Sequence, residues 1–443
     1  MTLSHDILRQ KLAESISRPP YGLTRRLVRE PSVSNKVRAV IGVRRSGKTS
    51  YLLQCRNDAI LSGRPPESQL VLSLEDERLA GITAADLRFL VEEHERQYHS
   101  AFLGSRPTLY LDEVQVVAGW EGFVRRMVDQ GDTDIYVSGS SAKLLSREVA
   151  TSLRGRAVEV LVHPFSFREA LRHTSAEPSK PFNRMTRQER SHLDAQLRLF
   201  LASGGFPEAQ GTKAFDRVAL LTGYVDVVVF RDVVERHNVS NVLPLRWLVR
   251  HLLANPAGQF SVKRLYDSLR SQGVAVGKDT LHDYLAFLED TFLVRTVWMH
   301  GNSERQRMVN PRKVYPIDTG LISIYDRSGG VNSGKALETA VLLELERRGY
   351  QVSYVRTANG FEVDFLAQHV GAKSLLIQVS METEGDATWD RECRALEHAA
   401  AEHPTALPIL LTLDASPPLR PLPSGAQWMS AAQWLLEDDS SLS

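Results

Sequence analysis

Gly42-Val43-Arg44-Arg45-Ser46-Gly47-Lys48-Thr49, followed by Ser50, has the form GxxxxGK[ST] and decides how this chain is read. The strand-like VRAVI precedes it and the helix-like SYLLQCRNDAIL follows, which is the strand–loop–helix setting the motif needs. Glycines let backbone N–H groups wrap phosphates at a helix N-terminus, where the helix dipole also favours negative charge. In such a loop Lys48 reaches the β and γ phosphates of ATP and Thr49 ligates Mg2+. Gly42, Arg44, Arg45, Ser46, Gly47, Lys48, Thr49 and Ser50 are therefore the candidate nucleotide-binding residues. The competing reading, a glycine turn with an exposed lysine, leaves the flanking strand and helix without a purpose.

Outward from the loop, Thr108 to Glu113 is an apolar strand ending in two carboxylates. Asp112 is the candidate Mg2+ ligand beside Thr49, and Glu113 the candidate that polarises the attacking water. Between Val37 and about Val162 the runs VRAVIGV, QLVLSLE, PTLYLDEV, TDIYVSG and AVEVLVH alternate with stretches long enough for helices. Such alternation predicts a parallel α/β sheet over residues 1–162. Residues 163–240 turn helical and predict a lid. Residues 241–300 carry two helix-like runs around QGVAVGKD and then LVRTVWM, the outline of a winged helix. A connector at 301–333 leads into 334–443, where the order is helix, three strands, helix, strand.

The 443 residues are too many for one ordinary core. Hydrophobic residues at 42% and charged residues at 24% exclude wholesale disorder and fibrous repeats. Lys+Arg 54 against Asp+Glu 53 leaves a net charge of +1, which announces no nucleic acid globally. Cys55 and Cys393 lack the spacing of a disulfide framework or a zinc site. No run approaches the length of a membrane span, so the expected location is the cytoplasm with no membrane partner.

GVRRSGKT, LDEVQ, SGSSAKLL, LRGR, HPFSFREAL, GGFPE, YVDVVVFRD, PRKVYPIDTGL, GKALETAVLLEL, EVDF and LIQVS together resemble the prokaryotic AAA+, STAND-like ATPases with a nuclease-like C-terminal domain. The resemblance implies a P-loop AAA+ parallel-sheet core, a helical lid, a winged helix and a C-terminal restriction-endonuclease-like α/β domain. It also implies ATP and Mg2+ as ligands. It makes Ser138 the sensor of the γ-phosphate and Arg156 an arginine-finger candidate acting between copies of a homo-oligomer. It sets Pro207 in GGFPE against the adenine. Each has a plainer reading: a strand-end serine, a structural arginine, a helix-breaking loop.

The second helix of the winged-helix outline carries Asp279, Asp283, Glu289 and Asp290 against His282, which repels phosphates. Lys263, Arg264, Arg270 and Lys278 flank it, and Arg305, Arg307, Arg312 and Lys313 follow, so a basic surface is also expected. At the nuclease-like end Glu338, Asp364 and Gln378 occupy the positions of the metal-binding set. Gln378 offers an amide oxygen without charge, and Ser380 stands where the resemblance implies a lysine. Glu362 is expected to point outward. Arg391 and Glu392 on the next helix have two readings, a source of the missing functions or a solvated helical pair, of which the second is preferred. Two functions stay open: an ATPase acting on or sensing DNA, and a nucleotide-gated switch whose output is contact with a protein partner.

Overall fold

The computed structural model describes residues 4–20, 22–139, 153, 155–301, 311–326, 332–381 and 386–437. They fall into two compact units, Met1–Val162 and His163–Ser443. The first contains α1 (His5–Ser17), β1 (Val37–Ile41), α2 (Lys48–Leu61), β2 (Gln69–Ser73), α3 (Ala84–Phe102), β3 (Thr108–Asp112), α4 (Trp120–Gln130), β4 (Asp134–Ser138) and β5 (Ala157–Leu161). Its strands pair in the order β2-β3-β4-β1-β5, all parallel. Parallel sheets are covered on both faces, and β3 is buried at every position. Val40, Leu52, Tyr51, Tyr110, Val160 and Val162 pack as one core. At the β2 edge the Val71 N–H donates to Ser15 Oγ of α1 at 2.8 Å, so α1 caps a strand that would otherwise invite pairing.

The second unit contains α5 (Phe167–His173), α6 (Arg187–Ser203), α7 (Ala214–Val227), α8 (Val242–Ala254), β6 (Gln259–Phe260), α9 (Val262–Ser271), α10 (Lys278–Asp290) and β7 (Val294–Met299). It continues through β8 (Arg312–Pro316), α11 (Gly320–Tyr325), α12 (Ser333–Arg347), β9 (Gln351–Arg356), β10 (Glu362–Gln368), β11 (Leu375–Ser380), α13 (Asp386–Glu402), β12 (Leu407–Thr412), β13 (Gln427–Ser430) and α14 (Ala431–Leu436). A π-helical segment, Val228–Glu235, extends α7. One eight-stranded mixed sheet runs β13-β12-β11-β10-β9-β7-β8-β6.

That sheet crosses the boundary expected at 333/334, because β7 pairs in parallel with β9, Trp298 opposite Ser353. The stretch 301–333, read as a connector, contributes β8 and α11 to the body of the unit. The turn GGFPE and the sequence PIDTGL are bound together there. Asp318 accepts from Gly205 N at 2.6 Å and Gly320 N at 2.9 Å, while Phe165 N donates to Gly205 O at 2.7 Å. A Cβ on Gly204 would sit 1.8 Å from Asp318 Oδ1, and one on Gly320 would sit 2.5 Å from Ser203 O, so the motif glycines permit this close approach.

Candidate functional site

Parallel register brings the C-terminal ends of β1, β4 and β3 level, with Val40 opposite Ser138 and Leu111 opposite Val137. Asp112 and Ser138 thus emerge side by side at the edge where the loop Gly42–Gly47 leaves β1. Thr49 Oγ1 donates to Asp112 Oδ2 at 2.8 Å, and the Ser138 hydroxyl donates to Asp112 Oδ1. The Glu113 N–H donates to Ser138 Oγ at 3.2 Å. One serine oxygen therefore bridges the two acidic residues. Glu113 holds a left-handed backbone, φ 56°, costly for a residue with a Cβ. Gln115 Nε2 donates to its carboxylate.

The loop itself has the features an anion requires. Gly42 stands at φ 146° and its Cβ would meet Val162 O at 2.2 Å. Gly47 caps α2 at φ 98° with no side-chain hydrogen bond to the helix N-terminus, which leaves that terminus its own N–H donors. Lys48 is buried, its Nζ donating to Gly42 O and Val43 O at 3.0 Å each. Ser46 Oγ is buried with no hydrogen-bond partner among the described residues. A phosphate chain fits these donors, and Thr49 with Asp112 is the pair that could hold Mg2+. Burial raises the Asp112 carboxyl above its ordinary range, against the hydrogen bonds from Ser138 and Thr49. A divalent cation would favour the ionised form.

Sequence reasoning missed Arg26, whose buried guanidinium donates to Ser46 O at 2.7 Å and steadies the loop from the N-terminal segment. No motif marks that arginine. Arg44 is half-buried and Arg45 exposed with φ 65°; Ser50 lies on the first turn of α2. Arg156 lies at the opposite end of the sheet, where its backbone O accepts from Val37 N, and pairs with Asp129 at 2.6 and 3.2 Å. Most of SGSSAKLL, and Arg154 of LRGR, fall outside the described residues. Pro207 belongs to the second unit, where it opens the short 3-10 turn Pro207–Ala209.

Glu338 on α12, Asp364 on β10 and Gln378 on β11 also come together, around a residue assigned elsewhere by sequence. Lys313 Nζ lies 3.2 Å from Glu338 Oε1 and 3.1 Å from Asp364 Oδ1. Glu362, expected to point outward, turns in and lies 2.9 Å from the same ammonium. The β9–β10 register shifts between Val363 and Leu366, and such a bulge re-aims side chains. Gln378 presents its amide nitrogen to Asp364 Oδ2 at 2.9 Å, not its oxygen to the cluster. Burial and then Asp364 push the Glu338 carboxyl up to about 7.

Arg312 and Lys313 leave the expected basic surface, with side chains 17% and 4% exposed; Arg312 stacks on Trp298. Arg305 and Arg307 lie outside the described residues. Arg391 pairs with Glu392 at 2.6 Å as expected, though the Glu392 side chain is only 11% exposed.

An AAA domain family matches residues 34–171, and a domain of unknown function (DUF8612) matches residues 194–327. The uncharacterized protein MJ1544 of Methanocaldococcus jannaschii is 33% identical over 375 residues, covering 83% of this chain and 79% of that protein. The chain belongs to the MJ1544 family. An uncharacterized protein of Haemophilus influenzae is 29% identical over 349 residues, covering 78% of this chain and 82% of the relative. Among solved structures, the Walker-type ATPase PABY2304 of Pyrococcus abyssi is 18% identical over 73% of this chain and 96% of its own, with a TM-score of 0.40. The ORC2 protein of Aeropyrum pernix is 13% identical over 72% and 91%, with a TM-score of 0.35. The P-loop core expected here matches an AAA domain over residues 34–171. The match over 194–327 names neither a lid nor a winged helix.

Proposed function

We propose that this protein binds ATP with Mg2+ through Gly42–Ser50 and hydrolyses it, and that nucleotide state controls the second unit. The observation that carries this is the Thr49–Asp112–Ser138 hydrogen-bond chain at the N-terminus of α2, with Glu113 joined to it through its own N–H. Mg·ATP would supply the phosphoanhydride that breaks and the charge that polarises it. Lys48 would exchange its two carbonyl partners for phosphate oxygens, Asp112 would hold the metal shell through Thr49, and Glu113 would orient water. Ser138, bridging both acids, is suited to register the terminal phosphate. Arg156 acting from a neighbouring copy after leaving Asp129 completes the proposal.

The output we favour is DNA. We read α9 and α10, followed by the antiparallel pair β7 and β8, as a winged helix, and Lys263, Arg264, Arg270 and Lys278 are exposed on α9 and α10. A specific observation favours the second reading, protein contact with a degenerate nuclease-like domain as the moving part. Asp279, Asp283 and Asp290 are exposed along α10, and Phe215 (84%), Leu243 (54%) and Trp247 (42%) leave apolar surface on α7 and α8.

Titration with a fluorescent ATP analogue in Mg2+ tests the site. Wild-type protein should saturate, and Lys48→Ala should weaken binding at least about 100-fold, the loss of a charge-assisted phosphate contact. Equal binding by the two would remove the phosphate site from Gly42–Thr49. Repeating the titration with duplex DNA separates the outputs. A shift in nucleotide affinity supports DNA, and none supports the protein switch.

A further inference from the structure

The carboxylates of the second unit converge on an ammonium. Lys313 Nζ stands 2.9 to 3.2 Å from oxygens of Glu338, Glu362 and Asp364, and its side chain is 4% exposed. Other protein donors take the oxygens around it. Tyr315 OH donates to Glu338 Oε1 at 2.7 Å, Val379 N to Asp364 Oδ2 at 3.1 Å, and Gln259 Nε2 to Glu362 Oε2 at 2.8 Å. The orientation of Gln378 follows from its neighbours. Its Oε1 accepts from Asp364 N at 3.4 Å, so its Nε2 faces the Asp364 carboxylate, and the oxygen a metal would want is committed to backbone.

A hard divalent cation needs several oxygens at roughly 2.0–2.6 Å from one point. Here that point is the lysine nitrogen, and a second cation beside it would meet direct repulsion. Burial disfavours the charged lysine, but Asp364, Glu338 and Glu362 outweigh it and hold the ammonium protonated well above neutral pH. The lysine comes from β8, which β9 and β7 separate from β10 in the sheet order, so the sheet curls to deliver it.

We propose that Lys313 is the resident cation of this cluster: its ammonium takes the place of a divalent metal ion, closes the site to Mg2+ and Mn2+, and ties β8 to α12 and β10. The inference does not depend on the ATPase reading. It separates the cluster from metal-dependent cleavage without deleting any of the carboxylates.

Mn2+ binding to the nucleotide-free full-length protein, read by the electron paramagnetic resonance signal of the free ion, tests it. Wild type and Asp364→Asn should bind Mn2+ alike. Lys313→Met should acquire one additional site, about tenfold or more tighter than any wild-type binding, and Lys313→Met with Asp364→Asn should lose it. Mn2+ uptake by wild type that Asp364→Asn abolishes would overturn the proposal. So would a Lys313→Met protein with the wild-type circular dichroism spectrum and no Asp364-dependent site. If Lys313→Met does not fold, wild type against Asp364→Asn still decides between the two.

Discussion

Ser138 and Lys313 are two residues whose meaning depends on what the chain brings near them. Ser138 ends β4, and the parallel register alone sets its oxygen between Asp112 and Glu113. The phosphate loop and the acidic strand end could be read from sequence because each is a local pattern with a chemical reason for every residue. Lys313 could not. Its partners lie 25, 49 and 51 residues along the chain, and a lysine in a polar connector reads as solvated until the strands pair. Arg26 was hidden for the same reason.

Glu338 gives a residue-scale prediction. Its carboxyl sits at about 7 in the folded protein against 4.5 for an unperturbed glutamate, so the folded state holds the proton more tightly than the unfolded chain. The stabilisation it gives is complete below pH 4.5 and is lost as pH rises through 7. Glu338→Gln keeps an oxygen for Tyr315 and Lys313 but cannot titrate. Denaturant midpoints at pH 5.5 and 8 should therefore fall more for wild type than for Glu338→Gln. A parallel pH dependence in both would refute the assignment.

At the scale of elements, the alternating pattern of 37–162 predicts the parallel sheet because strands covered on both faces read as apolar runs and the intervening helices are amphipathic. In the C-terminal stretch the order helix, three strands, helix, strand is present as read, and β13 and α14 follow it. What local pattern did not encode is the pairing of β7 with β9, which depends on residues more than 50 positions apart and makes one sheet of two expected domains. The glycines of GGFPE and PIDTGL belong to this level too. Their shared task is to let α6 and α11 approach closely around the buried Asp318. Gly320→Ala would place a methyl 2.5 Å from Ser203 O and should cost about 2–3 kcal/mol, the usual toll of overpacking. Tryptophan fluorescence reads it directly, since Trp247, Trp298, Trp389, Trp428 and Trp434 lie in the second unit and Trp120 in the first. An unchanged midpoint would show that the loop opens freely.

Across the whole molecule, bulk numbers were informative mainly by exclusion. A net charge of +1 conceals a surface divided between basic α9 and acidic α10, and two distant cysteines, both only partly exposed, impose no framework. Among the described residues no helix is long and apolar enough to cross a membrane. The AAA domain over 34–171 and the kinship with MJ1544 fix the core's class and leave its work to the site. The account stands on hydrolysis at that site, and the direct test is steady-state ATP turnover with Mg2+ by purified wild type beside Glu113→Gln. The account predicts Mg2+-dependent release of phosphate by wild type and a rate about 100-fold lower in Glu113→Gln, with nucleotide still bound. Equal rates in the two proteins, or a wild type that binds ATP and never turns it over, would contradict it.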